Sequence, residues 1–314
     1  MQIRFRPLMW IPAALATSVL SAPPASSPTD AFLDASKGRW EEVSDRIWDY
    51  SETALQEKKS AELLAGILEK EGFTVTRGVA GMPTAFVASA GSGAPVVGIL
   101  AEYDALPGLS QKGGEAQKSP RVAGGAGQGC GHNLFGAADG AALATETAAK
   151  VTVLGGTREP IYNDALSRAV QKELDRIGPP RFDASDVALA KAIQKEIGIP
   201  ETGLVDKVLP YGPGHGGEAS SDIGEVSAAL PLAELSVVTG PADSPWHHWA
   251  VTSCSASPIG RKGMLVAAKV LAATTVDLLN DPKTVDAAKA EFAKSTGGRP
   301  YVSPLARDAV PKTY

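Results

Sequence analysis

The chain has 314 residues and a formal net charge of −5, and 44% of its residues are hydrophobic. This length and this apolar content are enough for a substantial core and for one or two domains. The acidic balance argues against a nucleic-acid partner, because proteins that bind nucleic acids usually carry basic patches.

The N-terminus has the pattern of an export signal. Arg4 and Arg6 precede an apolar stretch, residues 8–20, that is too short to span a bilayer comfortably, and small residues follow it. We therefore predict a signal peptide over residues 1–25 and a single domain over residues 26–314. An uncleaved membrane anchor is the alternative. The mature chain is expected in the periplasm or outside the cell, with no membrane contact after cleavage.

After the signal, helical and strand patterns alternate along the chain, which predicts a layered α/β domain. The first helix is expected to start at a cap formed by Thr29 and Asp30, and Asn133 is expected to cap a later one. Helices are predicted at about 29–51, 60–71, 134–150, 164–177, 185–197, 262–279 and 284–294. Strands are predicted at about 73–76, 84–88, 96–102, 151–154 and 233–238, with 96–102 as a buried central strand.

The most informative stretch is residues 127–133, which read Gly-Gln-Gly-Cys-Gly-His-Asn. It follows an apolar run that ends in Glu102, Tyr103 and Asp104. A thiolate and an imidazole are donors that suit zinc, and the glycines allow the backbone to bring both side chains to one centre. A buried cysteine beside a hydrogen-bonded histidine is the structural alternative for so short a pattern.

Five blocks, in one order, resemble the zinc amidohydrolases and peptidases that include aminoacylases, carboxypeptidase G and p-aminobenzoyl-glutamate hydrolases, the B-type chain of the last most of all. They are residues 98–108, 127–136, 220–227, 247–249 and 260–264. The resemblance extends from about residue 35 to 295. It implies a three-layer zinc-peptidase-like catalytic domain with a central mixed sheet. It also implies an amidohydrolase whose zinc-activated water cleaves N-acyl or p-aminobenzoyl amino acids, or short peptides.

Carried over residue by residue, the resemblance implies that Cys130, His132 and His247 are metal ligands. His247 is preferred to His248 because the family pattern reads His-x-Trp and Trp249 completes that spacing. Asp104 is expected to orient the imidazole of a ligand histidine.

The chain departs from the family after the Cys-x-His turn. Family members carry a Glu-Glu pair, which supplies a general base and a further ligand, and then an inserted lid domain that usually dimerises. Neither is found, and the gap falls near residues 144–156. Glu159 is then the candidate for the general base, with an ordinary surface glutamate as the alternative. We accordingly expect one zinc ion rather than two, with manganese as the alternative metal, and a monomer.

Three further alternatives stay open. Cys130 and Cys254 could form a disulfide in an exported protein, which would remove the thiolate ligand. The chain could be an inactive relic that binds a metal, a ligand or a partner chain. Asp222 lies in a family block but fits a turn or helix cap equally well, and His215 lies in a glycine-rich loop without a family role.

Overall fold

The computed structural model describes residues 27–143, 160–212 and 223–302. The predicted signal peptide and the predicted strand at 151–154 lie outside these ranges, as do Glu159, His215 and Asp222. The predictions that rest on them therefore stay predictions.

Within the described ranges the chain is mainly helical. The helices are α1 Pro28–Tyr50, α2 Lys58–Lys70, α3 His132–Leu143, α4 Asp164–Ile177, α5 Ala184–Glu196, α6 Ile223–Ala229, α7 Trp249–Ser255, α8 Pro258–Asn280 and α9 Pro282–Ser295. The strands are β1 Thr74–Arg77 and β2 Phe86–Ser89. Six predicted helices are confirmed to within a few residues, the described part of α3 is confirmed, and the short helices α6 and α7 were missed.

The core lies where α1, α3 and α8 pack together. Helix α1 contributes Leu33, Trp40 and Ile47, all essentially inaccessible, because their spacing places them on one face of the helix. The prediction of its cap was wrong by two residues. Ser27 caps α1, accepting from the backbone N–H of Asp30, while the Asp30 carboxylate accepts from the N–H of Ser27.

Helix α8 has the length and composition of a membrane-spanning helix, alone among the described helices. Half of its most apolar window is nevertheless buried inside the protein. Met264, Ala268 and Ala272 belong to the core cluster shared with α1 and α3. These contacts are those of a core helix, so the apolar character of α8 is explained by packing.

The described sheet has two strands. β1 and β2 pair antiparallel, with Thr74 opposite Ser89 and Arg77 opposite Phe86, which confirms that predicted pair. The predicted central strand at 96–102 is wrong for the described structure, where this segment joins no sheet and Val96 is 67% exposed. The strand predicted at 233–238 is also absent from its described position. A mixed helix and strand composition is thus confirmed, while the three-layer fold with a central mixed sheet stays a prediction.

Short contacts at the end of this extended segment position the Cys-x-His turn. The N–H of Ala105 donates to the carbonyl of Glu52 at 2.7 Å. Leu106 and Gly127 exchange two backbone hydrogen bonds, of 2.9 and 3.0 Å. The chain from Glu102 to Leu106 is therefore held beside the start of the glycine-rich turn.

Candidate functional site

The glycine-rich turn delivers His132 to the first position of α3. Gly131 has a φ of +74°, a left-handed conformation that favours glycine, and its N–H donates to the carbonyl of Gln128 at 3.1 Å. The carbonyl of Gly131 then accepts from the N–H of Leu134. This tight turn sets Cys130 and His132 on either side of one glycine at the start of the helix.

Two carboxylates flank the imidazole of His132. Its Nδ1 lies 2.8 Å from Oδ1 of Asp104, and its Nε2 lies 3.3 Å from Oε2 of Glu102. The Cys130 side chain also hydrogen-bonds to this ring. The side chain of His132 is only 13% exposed, and Phe135 packs against the ring with centroids 5.4 Å apart. Asp104 therefore has the contact with His132 that an orienting carboxylate requires.

The electrostatics of this cluster favour a protonated imidazole. Burial by itself lowers the pKa of His132, but the hydrogen bonds to Asp104 and Cys130 and the negative charges of Glu102 and Asp104 outweigh it. The result is a pKa of about 10. Without a metal, His132 is therefore an imidazolium that bridges two carboxylates at neutral pH.

A buried carboxyl on α3 lies near this charge cluster. Burial, and then the charge of Glu102, raise the pKa of Asp139 well above its ordinary value. Asp139 lines a narrow apolar cavity with Leu64, Ile99 and Tyr103. We therefore expect Asp139 to be protonated at neutral pH, so that it adds no further negative charge beneath Glu102.

Glu102 had no predicted role, although the signal was present in the sequence. Glu102 and Asp104 are two residues apart, and in an extended chain that spacing places both side chains on the same side. The structure brings both carboxylates to the one imidazole. The pair could thus have been found by treating Glu102-Tyr103-Asp104 as a unit.

His247 approaches the turn through its backbone. Its N–H donates to the carbonyl of Gly129 at 3.2 Å, one residue before Cys130. Its side chain is exposed, and its φ of +56° is strained for a residue with a Cβ. The structure thus places the His247 backbone beside the turn but does not bring its side chain into the contacts around His132.

The neighbouring His248 has a structural role. It is the N-cap of α7, where its Nδ1 accepts from the N–H of Ala250 at 3.3 Å. Its ring packs on Trp249, which is buried at the start of the helix. Burial, and then the charge of Lys118, lower the pKa of His248. This capping role favours His247 as the histidine that is available for chemistry.

Asn133 anchors the turn instead of capping α3, so that prediction was wrong. It lies inside the helix and is fully buried. Its Nδ2 donates to Ser44 Oγ on α1 at 2.9 Å and to the carbonyl of Ser255 on α7 at 3.2 Å. Its own N–H donates to Oε1 of Gln128. Buried polar contacts therefore tie the turn to two helices.

Both cysteines are free thiols, so the structure does not contain the disulfide alternative. The donor types around the turn, a thiol, an imidazole and two carboxylates, are those that zinc accepts. Among the described residues, however, no group of three or more His, Cys, Asp and Glu side chains is arranged to hold a metal ion. The donors suit zinc in their chemistry, but a complete ligand set requires the His247 side chain to turn inward.

Comparison with known proteins supports a relationship to the amidohydrolase and peptidase family, although no family model matches the chain. The chain is 24% identical to the B-type chain of p-aminobenzoyl-glutamate hydrolase from Escherichia coli (strain K12). The match covers 90% of this chain and 98% of the relative. It extends over 469 positions, which is more than the 314 residues of the chain, so a large part of the relative faces no residue here.

Proposed function

We propose that this chain is a metal-dependent amidohydrolase that cleaves N-acyl or p-aminobenzoyl amino acids, such as p-aminobenzoyl-glutamate, or short peptides. The arrangement around His132 carries the proposal, because it sets a thiol and two carboxylates about one buried imidazole. The similarity to one chain of a p-aminobenzoyl-glutamate hydrolase supports the substrate class.

Cys130, His132 and His247 would hold one zinc ion, with Glu102 as the nearest further donor and manganese as the alternative metal. Bound zinc supplies an acidified water and polarises a carbonyl oxygen. Asp104 holds Nδ1 of His132 and so leaves Nε2 for the metal. The proton now on His132 must leave when the metal binds, and the two carboxylates become the partners of a neutral ring.

Glu159 is the proposed general base, and it lies outside the described residues. General-base catalysis typically contributes a factor of about 100 to 10,000 in rate. A Glu159→Gln variant should therefore lose that factor in kcat while it keeps its metal. An unchanged kcat would show that Glu159 is a surface residue.

The first experiment is the zinc content of the purified mature protein, measured by mass spectrometry after dialysis against buffered zinc. We expect about one zinc per chain. Zinc should be lost in His247→Ala and in Cys130→Ser. His248→Ala is the matched control, because His248 is the adjacent imidazole and serves as a helix cap. Equal zinc in all four proteins would overturn the ligand assignment.

Hydrolysis is then measured by chromatographic release of p-aminobenzoate from p-aminobenzoyl-glutamate. Zinc-loaded wild type should be active, and His247→Ala should be inactive. Zinc binding without any hydrolysis would favour the second candidate, a relic that binds a metal, a ligand or a partner chain. Two observations favour that candidate, namely the lack of a three-donor cluster among the described residues and the unmatched part of the relative.

The oligomeric state tests the missing lid. We propose a monomer, because in the family the lid usually forms the dimer interface. Light scattering at several concentrations should give a mass near 30 kDa for the mature chain, compared with 32.3 kDa for the full one. A stable dimer at the lowest concentration would contradict this proposal.

A thiol assay tests the disulfide alternative. Burial raises the pKa of Cys254 to about 12, and its thiol is essentially inaccessible. Cys130 is partly exposed at the turn. One thiol per chain should therefore react with a disulfide reagent under native conditions, and a second only after denaturation. No reactive thiol in either state would indicate the disulfide.

A further inference from the structure

A cleft separate from the His132 cluster lies at the C-terminal end of α1. Its walls are the last residues of that helix and the loop that carries Ser110 and Arg121, and Thr252 of α7 also lines it. The cavity has a volume of about 240 Å³. That is below the usual range for pockets that hold drug-sized molecules, so the cleft suits a small ligand.

One positive and one negative side chain line this cleft. Nη2 of Arg121 lies 2.5 Å from Oδ1 of Asp49. The guanidinium also stacks over the ring of Trp48, with its carbon 4.9 Å from the ring centroid. Stacking leaves the edge of a guanidinium open, and the contact with Asp49 uses one of its five N–H donors. The remaining edge can bind a carboxylate in a bidentate manner.

The end of α1 supplies a complementary negative pole. The last carbonyls of a helix carry partial negative charge and favour a cation, and α1 has no basic residue in its last turn. Ser51 terminates the helix in a left-handed conformation and donates its hydroxyl to the carbonyl of Trp48 at 2.6 Å. Together with the carboxylate of Asp49, this end of the helix favours an ammonium group a short distance from Arg121.

Thr252 adds a polar group to the cleft that has no partner among the described residues. The residue is 1% exposed, and its hydroxyl makes no hydrogen bond within that part of the chain. Its carbonyl accepts from Nε1 of Trp48 at 3.0 Å, which fixes Trp48 beneath Arg121. A buried hydroxyl without a partner is costly, and a polar ligand beside it would remove that cost.

We propose that this cleft binds a free α-amino acid as its zwitterion. The carboxylate would lie on the open edge of Arg121, and the ammonium group would lie against Asp49 and the end of α1. This pairing satisfies both charges of the cleft, whereas a simple anion would meet Asp49 and a simple cation would meet Arg121. The site needs neither zinc nor hydrolysis, so it stands or fails apart from the proposed function.

The test is ligand-observed NMR, with saturation-transfer titrations, on the mature protein in the presence of a chelator. L-Alanine is the probe, and propionate and ethylamine are the analogues that lack the ammonium and the carboxylate. We expect alanine to bind at least about tenfold more tightly than either analogue, because each analogue loses a charge-assisted contact. Propionate or ethylamine binding as well as alanine would overturn the proposal.

Variants locate the binding. Arg121→Gln should weaken alanine binding about tenfold, and Thr252→Val should weaken it severalfold while keeping the shape of the residue. Arg168→Gln is the matched control, since Arg168 also stacks on an aromatic ring, that of Tyr211, and pairs with Asp164, but lies away from the cleft.

Binding that survives both cleft substitutions would contradict the site, as would an equal loss in Arg168→Gln. Should Arg121→Gln fail to fold, Thr252→Val still decides the matter. Its removed hydroxyl has no partner among the described residues, so that variant should be at least as stable as wild type.

Discussion

The helical core and the acidic segment at residues 95–104 differ in how their backbones are satisfied. A helix closes its hydrogen bonds within its own sequence, so α1, α3 and α8 need only an apolar face and a cap to be specified. A strand needs a neighbour, and the segment that carries Glu102 and Asp104 joins no sheet in the described structure. Local pattern is therefore sufficient for the first region and insufficient for the second.

The largest expected effect lies in the helical core. Trp40 is 1% exposed in the cluster formed by α1, α3 and α8. Trp40→Ala should lower the free energy of unfolding by about 3–5 kcal/mol, from lost burial and the cavity left behind. Urea denaturation followed by circular dichroism measures this. A loss below about 1 kcal/mol would show that the core does not depend on α1, and the contrast between the regions would disappear.

The second prediction separates a one-sided extended segment from a buried central strand. Ile99 belongs to the core cluster, while Val96 is mostly exposed. Ile99→Ala should therefore cost about 2–4 kcal/mol of unfolding free energy, and Val96→Ala less than about 0.5 kcal/mol. If the predicted central strand were correct, both side chains would be buried and both substitutions would be costly. Comparable losses in the two variants would restore that strand.

The sequence could predict the helices because their periodicity, their glycine and proline boundaries and several caps are local signals. It could also predict that Asp104 and His132 meet, because the family resemblance aligns them. It could not predict that Val96 is exposed, because burial of a strand depends on a neighbour elsewhere in the chain. It likewise could not show that Asn133 binds Ser44 and Ser255, contacts 89 and 122 residues away.

The third prediction concerns the acidic segment and pH. The pKa of His132 is about 10 in the folded protein against an ordinary value of 6.5, so folding favours the protonated ring. This stabilisation is fully present below pH 6.5 and is lost as the pH rises through 10. Asp104→Asn, measured with a chelator present, should therefore cost about 2 kcal/mol at about pH 6 and progressively less towards about pH 10.

Asp45→Asn is the matched control for that titration. Asp45 pairs with Arg261, with Nη2 and Oδ2 2.7 Å apart, and an arginine stays charged throughout this pH range. Its effect on stability should thus be the same at about pH 6, 8 and 10. Urea unfolding at these three pH values measures both variants. A flat profile for Asp104→Asn would show that the carboxylate does not hold the proton on His132.

The smallest effect sharpens the helical side of the comparison. Ser27 caps α1, whereas the sequence pattern favours Thr29 and Asp30. Ser27→Ala should lower the free energy of unfolding by about 1 kcal/mol, because a backbone N–H of the first turn loses its acceptor. Ser27→Thr keeps the oxygen and should cost less than half as much, while Thr29→Ala should have an effect below about 0.5 kcal/mol. A larger loss in Thr29→Ala than in Ser27→Ala would move the start of α1 to the position that the sequence suggested. Even the best-specified helix of the core would then owe its first turn to contacts that local pattern identifies correctly.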